Sequence, residues 1–251
     1  MSFPSNSDQD YHPLPTAPDA PDPASSDAMG NDEHYLKPEA RPGDLLAGLA
    51  AVTAAAVLLI VTWILILINH PGALSWFAFH PTFNTLAILV FALSILQLQP
   101  TSQPKTKAVG LQRHQLGMII GLPLVLVGSS AIFYNKSVHG APHFTTWHGT
   151  FGIISLTWLV VQSAFGAASV WFGGAALGGG MKAKRLWKYH RLSGYVLFPL
   201  VLLTVNLGGA YSGWVVDHTA LVVRLLTYTV APIVLLVALY IRIRPSKMQL
   251  F

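Results

Sequence analysis

Six apolar segments follow one another along the chain, after a polar stretch that covers residues 1–44. The segments lie near 45–68, 76–98, 114–134, 148–171, 190–214 and 219–241. Each is long enough for a helix to cross the roughly 30 Å hydrocarbon layer of a bilayer. A helix satisfies its own backbone groups there, and the apolar runs are continuous rather than alternating, so barrel strands are not expected. The pattern predicts an all-α membrane protein with six transmembrane helices.

Residues 1–44 have the composition of a disordered tail. They are rich in Pro, Ser, Asp and Ala, show no hydrophobic period and so cannot bury a core. They also lack the basic start and apolar run of a signal peptide. We therefore expect an acidic, Pro-rich cytoplasmic tail over 1–44, a six-helix domain over 45–245 and a short C-terminal tail over 246–251.

The charged residues indicate the orientation of the helices. Nine of the ten acidic residues lie within 1–44, and thirteen of the fifteen Lys and Arg lie beyond it. Eleven of those thirteen fall in the 99–113 and 172–191 gaps and the C-terminal tail, whereas the opposite side holds Lys136 and Arg224. Positive loops stay in the cytoplasm, so both termini are expected there. Their position between apolar runs favours a membrane surface over nucleic acid. Endomembrane (ER, vesicle or vacuole) and plasma membrane both stay open.

Histidines provide the candidate chemistry. The chain has no cysteine, which excludes disulfides, thiolate metal sites, iron–sulfur clusters and covalent c-type haem. His80, His114, His148 and His190 open the second to fifth segments in turn. Because successive helices run in opposite directions, His80 and His148 share the non-cytoplasmic side. His114 and His190 share the cytoplasmic side for the same reason.

Paired imidazoles on facing helices suit a redox cofactor. A neutral imidazole is a good ligand for transition metals and haem iron. Helix axes roughly 8–10 Å apart let two imidazoles hold a flat macrocycle between them. The pattern therefore predicts two bis-histidine sites in a central four-helix bundle of helices 2–5. Such an arrangement can pass single electrons across a bilayer.

Other interpretations of these residues stay open. Glycines follow three of the histidines within four residues and lie at Gly117, Gly149, Gly152 and Gly194, whereas His80 is followed by Asn84 instead. They either leave room for a porphyrin edge or allow close helix packing. A single histidine at a membrane interface is often only a polar interfacial residue, although ionisable groups inside the membrane are functional candidates. Zinc prefers four ligands gathered at one site, which histidines on two opposite sides do not supply.

Several motifs resemble those of the eukaryotic cytochrome b561 family of transmembrane electron carriers. They are HP at 80–81, RHQLGM around His114, HFTTWHGTFG at 143–152 with Asn135-Lys136 upstream, and KYHRLSGY at 188–195. The resemblance covers roughly 45–245. Ascorbate-using members carry an ALLVYR-like element after the second helix and SLHSW at the fourth, where this chain reads ALSILQLQ and TTWHG. These differences place the chain nearest the subgroup called cytochrome b561 domain-containing transmembrane reductases.

The resemblance implies two b-type haems and an ascorbate-dependent transmembrane oxidoreductase. His80 with His148 would hold one haem iron. His114 with His190 would hold the other. Electrons would pass from cytoplasmic ascorbate to monodehydroascorbate or ferric iron on the other side of the membrane.

Basic residues near the two ends are the candidate substrate contacts. Those expected to attract the ascorbate anion include Lys105, Lys107, Arg113, Lys184 and Lys188. The acceptor is expected near Lys136, His139 and His143, and Arg224 is a candidate partner for a haem propionate. For any single lysine, setting the topology and binding anionic lipid is the alternative role.

Two other functions stay open. One is a quinol-oxidising haem b subunit that works with a redox partner, and reduction of the purified chain by ascorbate alone would argue against it. The other is a non-catalytic multi-pass membrane protein or transporter, which a haem α-band would exclude. The expected partners are ascorbate, monodehydroascorbate or a ferric chelate, and the lipid bilayer. A homodimer is an open alternative.

Overall fold

The computed structural model describes residues 39–99, 101 and 103–244, and six of its helices are long and apolar enough to cross a membrane. We label them α1 (Asp44–Ile68), α2 (Phe79–Leu96), α3 (Pro104–Val138), α4 (Trp147–Val170), α5 (Gly180–Tyr211) and α6 (Leu221–Arg242). No strand occurs in this part of the chain. The prediction of an all-α protein with six spans is confirmed. Most of the predicted tail over 1–44, and all of 246–251, lie outside the described residues.

Short elements connect some of these helices. Before α2 come the helix Pro71–Leu74 and the 3-10 turn Ser75–Ala78. A 3-10 segment, Trp171–Leu177, joins α4 to α5, and the helix Gly213–His218 joins α5 to α6.

Two of the spanning helices begin earlier than hydropathy predicts. The α3 helix starts at Pro104 and α5 starts at Gly180, ten residues before His114 and His190 respectively. Ten residues of helix extend about 15 Å. Apolar runs show where a chain enters the hydrocarbon layer of the membrane. The backbone hydrogen bonds of the helix continue beyond that point. His114 and His190 therefore lie well inside their helices, and the basic residues assigned to loops lie largely on helical extensions.

The helices pack as an inner bundle with two outer helices. The contacts are closest between α2 and α3, between α4 and α5, and between α1 and both α2 and α6. Residues of α2 to α5 form the inner apolar cluster, made of Ala87, Phe91, Val125, Leu159 and Leu197. A second cluster joins α1 and α6 to α2 and α5. Small residues such as Ala51 and Ala55, both fully buried, let α1 approach its neighbours closely.

A π-helical turn in α6 accommodates Pro232. The turn covers Leu226–Val230, just before the proline. Proline lacks an N–H, so the carbonyl of Tyr228, four residues earlier, loses its helical donor. Asn206 of α5 supplies a substitute, because its Nδ2 donates to that carbonyl at 2.9 Å. Neighbouring helices commonly satisfy a freed carbonyl in this way in membrane proteins.

Ion pairs connect the start of α1 to the end of α6. The Asp44 side chain is only 2% exposed and lies 2.9 Å from Arg244 and 3.3 Å from Arg41. Arg242 donates to the backbone carbonyls of Asp44 and Gln99. These contacts hold the first turn of α1, the end of α6 and the α2–α3 connection together.

Candidate functional site

The structure brings the four histidines together in the two pairs that the antiparallel topology predicts. The ring centres of His80 and His148 lie 5.9 Å apart, with their planes inclined at 77°. Those of His114 and His190 lie 6.4 Å apart, inclined at 75°. His80 and His148 are each the second residue of their helix, so that pair lies at one end of the inner bundle.

The spacing of both pairs fits two axial ligands of one metal. Metal–imidazole bonds of about 2 Å place the centres of two opposed imidazoles roughly 6 Å apart. Among the residues that the structure describes, no three His, Cys, Asp or Glu side chains gather into a metal site. The histidines therefore meet as pairs, which suits a macrocycle that provides the remaining ligands itself.

Backbone carbonyls orient the rings of the first pair. Nδ1 of His148 lies 2.9 Å from the carbonyl oxygen of Thr204, and Nδ1 of His80 lies 3.1 Å from that of Gly128. A carbonyl oxygen only accepts, so each Nδ1 is assigned the proton and donates. The amide of Asn84 also approaches His80 Nδ1 at 3.1 Å, but it has its own acceptor in the His80 carbonyl at 2.7 Å. Nε2 of both rings is left with a free lone pair, as a metal ligand requires.

The second pair has a less complete set of hydrogen bonds. Nδ1 of His114 and of His190 is buried and has no hydrogen-bond partner within the described residues. The backbone of Ser94 lies near His114 and that of Gln162 lies near His190, but neither forms a hydrogen bond with these Nδ1 atoms. The Gln162 side chain holds the His190 backbone instead, since its amide Nε2 donates to the His190 carbonyl at 2.6 Å.

Two glycines that the sequence did not single out lie directly against the rings. A Cβ on Gly208 of α5 would meet the His148 ring at 2.6 Å, and one on Gly166 of α4 would meet the His190 ring at 2.7 Å. Only glycine leaves room for the imidazole at either position. Thr204 and Gly128 were missed as well, because a backbone acceptor has no sequence signature.

The glycines that the sequence did single out have mixed roles. Gly117 packs against Ser94 of α2, which is a contact between helices. Gly194 packs against Gln162. Gly149 and Gly152 line a cavity beside His148.

The two pairs are separated along the bundle by about 21 Å. On α5, His190 belongs to one pair and Thr204 contacts the other, fourteen residues further on. On α2, His80 and Ser94 give the same separation of fourteen residues. With a rise of about 1.5 Å per residue, both helices independently place the pairs about 21 Å apart.

A cavity opens beside the first pair. Its volume is about 190 Å³, and it reaches from the apolar side chains of Leu159 and Val201 to the end of the bundle. His80 and His148 line its middle, and Lys136 and His143 line its outer part. The cavity therefore connects the first pair with two of the residues expected to meet the acceptor. His139 does not line the cavity, and its Nδ1 bonds the carbonyl of Asn135 at 2.7 Å.

The α3–α4 connection is held over this cavity by specific contacts. The Lys136 ammonium donates to the Pro142 carbonyl at 2.8 Å, and the His143 ring stacks on Phe133 at 5.2 Å. Phe144 has a φ of +55°, a conformation that is strained for a bulky residue. Gly149 permits it, since a Cβ there would lie 3.2 Å from the Phe144 Cα.

The basic residues expected to meet the donor lie at the other end of the bundle, which we call the basic end. Lys105, Lys107, Arg113 and Lys184 are exposed, and Lys188 is partly buried. Arg113 donates to Gln97 at 3.0 Å, and the Lys188 ammonium lies 5.1 Å from the ring centre of Tyr189. None of the five lines the cavity.

Comparison with known proteins agrees with this geometry. A model of eukaryotic cytochrome b561 matches residues 69–216, which include all four paired histidines. The chain is 26% identical over 167 residues to "Transmembrane reductase CYB561D2" of Bos taurus, covering 64% of this chain and 73% of that protein. The protein of the same name from Mus musculus is 26% identical over 149 residues, which is 58% of this chain and 65% of that protein. Both names agree with the subgroup that the motifs indicate. The chain belongs to the eukaryotic cytochrome b561 family.

Proposed function

We propose that this chain transfers electrons across a membrane through two b-type haems, one held by each histidine pair. The observation that carries the proposal is the pair of imidazole couples, each about 6 Å between ring centres and about 21 Å apart along one bundle. Each haem, when bound, supplies a one-electron couple whose potential depends on its ligands and surroundings. The family membership and the names of the relatives support a transmembrane reductase.

The chain's own residues would fix both cofactors in place. His80 and His148 present Nε2 because their Nδ1 protons are held by carbonyls of α3 and α5. The inner apolar cluster between the two pairs excludes water from the path that joins them.

We further propose that ascorbate is the donor and that the basic end faces the cytoplasm. Ascorbate is an anion at neutral pH, and the side chains there provide a positive potential that attracts it. These are Lys105, Lys107, Arg113, Lys184 and Lys188. Ascorbate would lose one electron and a proton to become monodehydroascorbate. The electron would leave beside Lys136 and His143 to reduce monodehydroascorbate or ferric iron there.

Haem stoichiometry tests the proposal directly. The purified chain is expected to bind two haems, measured by pyridine haemochrome against protein concentration, and to show an α-band after ascorbate is added. His148→Ala should lose about one haem, and His190→Ala should lose the other. His218→Ala is the matched control, because this exposed histidine stacks on Trp214 and bonds only its own helix. One haem in the unmodified chain, or two in both ligand variants, would contradict the proposal.

A further inference from the structure

Arg224, in the first turn of α6, is a partly buried cation that forms no ion pair with the described residues. Its Nε and Nη1 atoms are inaccessible and have no hydrogen-bond partner within the described residues. The hydroxyl of Thr219, five residues earlier, is also buried and unpaired. Buried polar groups are normally satisfied, and a charge inside a membrane bundle is normally paired. Donors on both residues therefore point to a ligand that the chain does not itself contain.

The described part of the chain shows no acidic side chain in this role. Beyond Asp44, the only acidic residue in the sequence is Asp217. Asp217 is exposed and takes part in neither of the ion pairs found in the described residues, both of which involve Asp44 at the basic end. No carboxylate of the described residues neutralises Arg224, so an external anion can take that role.

Arg224 lies close to the His80/His148 end of the bundle. Tyr228, one helical turn further along α6, packs against Gly209 of α5, since a Cβ on that glycine would meet its ring at 2.1 Å. The preceding residue, Gly208, contacts the His148 ring. Arg224 is therefore about one turn, roughly 5 Å, nearer to the bundle end than the level of His148. A long arginine side chain can span that distance.

We propose that Arg224, with the hydroxyl of Thr219, binds the carboxylate of a haem propionate at the His80/His148 site. The inference rests on the proposed function, because it requires a haem there. A guanidinium holds a carboxylate through two parallel hydrogen bonds, which gives a fixed geometry as well as charge neutralisation. The positive charge also favours the reduced haem, so it raises the potential of this site relative to the other.

The test is a spectroscopic redox titration of the purified two-haem protein. Arg224→Gln should shift the reduction equilibrium of one haem about tenfold toward the oxidised form. For a one-electron couple, this corresponds to a reduction potential about 59 mV lower. The potential of the second haem should not change. Arg224→Lys keeps the charge but not the paired hydrogen bonds, so it should give a smaller shift.

Thr219 provides a second test that leaves the arginine intact. Thr219→Val removes the hydroxyl with little change in shape and should lower the same potential by a smaller amount. Thr219→Ser keeps the hydroxyl and should behave like the unmodified chain. This pair decides the question even if the Arg224 variants fail to fold. Asp217→Asn is the control for an exposed charge at this end of the bundle, and its effect should be small.

The outcomes separate this inference from the proposed function. Two haems with both potentials unchanged in Arg224→Gln and in Thr219→Val would overturn the carboxylate site and leave the electron-transfer proposal standing. Fewer than two haems in the unmodified chain would overturn the proposed function itself. Loss of bound phospholipid from Arg224→Gln, detected by native mass spectrometry without any shift in potential, would assign the site to a lipid phosphate and overturn the inference.

Discussion

At the scale of single residues, the histidines are positioned mainly by backbone atoms of neighbouring helices. The His148 ring donates to the carbonyl of Thr204 and lies against Gly208, both on α5. The His190 ring lies against Gly166 on α4. Backbone atoms in a helix move less than side chains do, so they give an axial ligand a more fixed orientation. A carbonyl acceptor also selects the tautomer that leaves Nε2 free.

Adding one methyl group beside each ring should remove one haem at a time. Gly208→Ala would place a Cβ 2.6 Å from His148, and Gly166→Ala would place one 2.7 Å from His190. Neither distance is possible without moving the ring. Alanine is the better helix former by about 1 kcal/mol, so haem loss would not reflect a weaker helix. Each variant is expected to retain about one haem per chain by pyridine haemochrome.

Gly213→Ala is the control for the glycine variants, because nothing lies within 4 Å of the Cβ that it would add. It should retain both haems. Retention of two haems by Gly208→Ala and by Gly166→Ala would show that the rings adjust freely and that these glycines do not position them.

The sequence could identify the histidines but not the groups that position them. His80, His114, His148 and His190 stand out because ionisable residues are rare in long apolar runs. Thr204 and Gly208 do not stand out, since threonine and glycine are frequent in membrane helices for packing reasons. Their role depends on which turn of α5 faces His148, and 56 residues separate His148 from Thr204 in the chain. Only the register of the packed helices shows it.

At the scale of elements, hydropathy located the six helices but not all of their ends. Side-chain polarity changes where the chain leaves the apolar layer, whereas the helical hydrogen bonds of α3 and α5 continue for about three more turns. Because these helices start early, Lys105, Lys107 and Lys184 lie on α-helix and not in loops. The helix therefore sets the positions from which these side chains leave the backbone.

Loss of the Asp44 carboxylate should loosen the junction of α1 with α6. Asp44→Asn would leave Arg244 and Arg41 without their shared anion at a site where the Asp44 side chain is only 2% exposed. We expect a cost of about 2 kcal/mol, between the values for exposed and for fully buried ion pairs, because the Arg41 side chain is 42% exposed. A lower midpoint of thermal unfolding in detergent would show it.

The double variant Asp44→Asn/Arg244→Met is the matched control for this ion pair. It removes one of the uncompensated cations, so it should unfold at a higher temperature than Asp44→Asn alone. Equal midpoints for Asp44→Asn and the unmodified chain would mean that water screens this cluster fully.

At the scale of the whole molecule, the two ends of the bundle differ in charge and shape. The end with His80 and His148 carries a cavity and a strained connection at Phe144, whereas the other end carries the basic side chains. Six antiparallel spans were enough to predict which histidines pair. The cavity was not predictable, because it depends on how the α3–α4 connection folds over the bundle end.

The charge difference leads to a prediction about the donor. Replacing Lys105, Lys107, Arg113, Lys184 and Lys188 by glutamine removes five positive charges from the basic end. The concentration of ascorbate that gives half-maximal haem reduction should rise about tenfold at low ionic strength, because the attraction of an anion to this end is lost.

Salt provides the control for this prediction. At 1 M ionic strength charges are screened within about 3 Å, so the variant and the unmodified chain should need the same ascorbate concentration. The experiment belongs in sealed vesicles with ascorbate on one side only. If the five charges serve only topology and lipid binding, half-maximal reduction at low salt will need the same ascorbate concentration in both proteins, and the proposed docking of ascorbate at this end will be wrong.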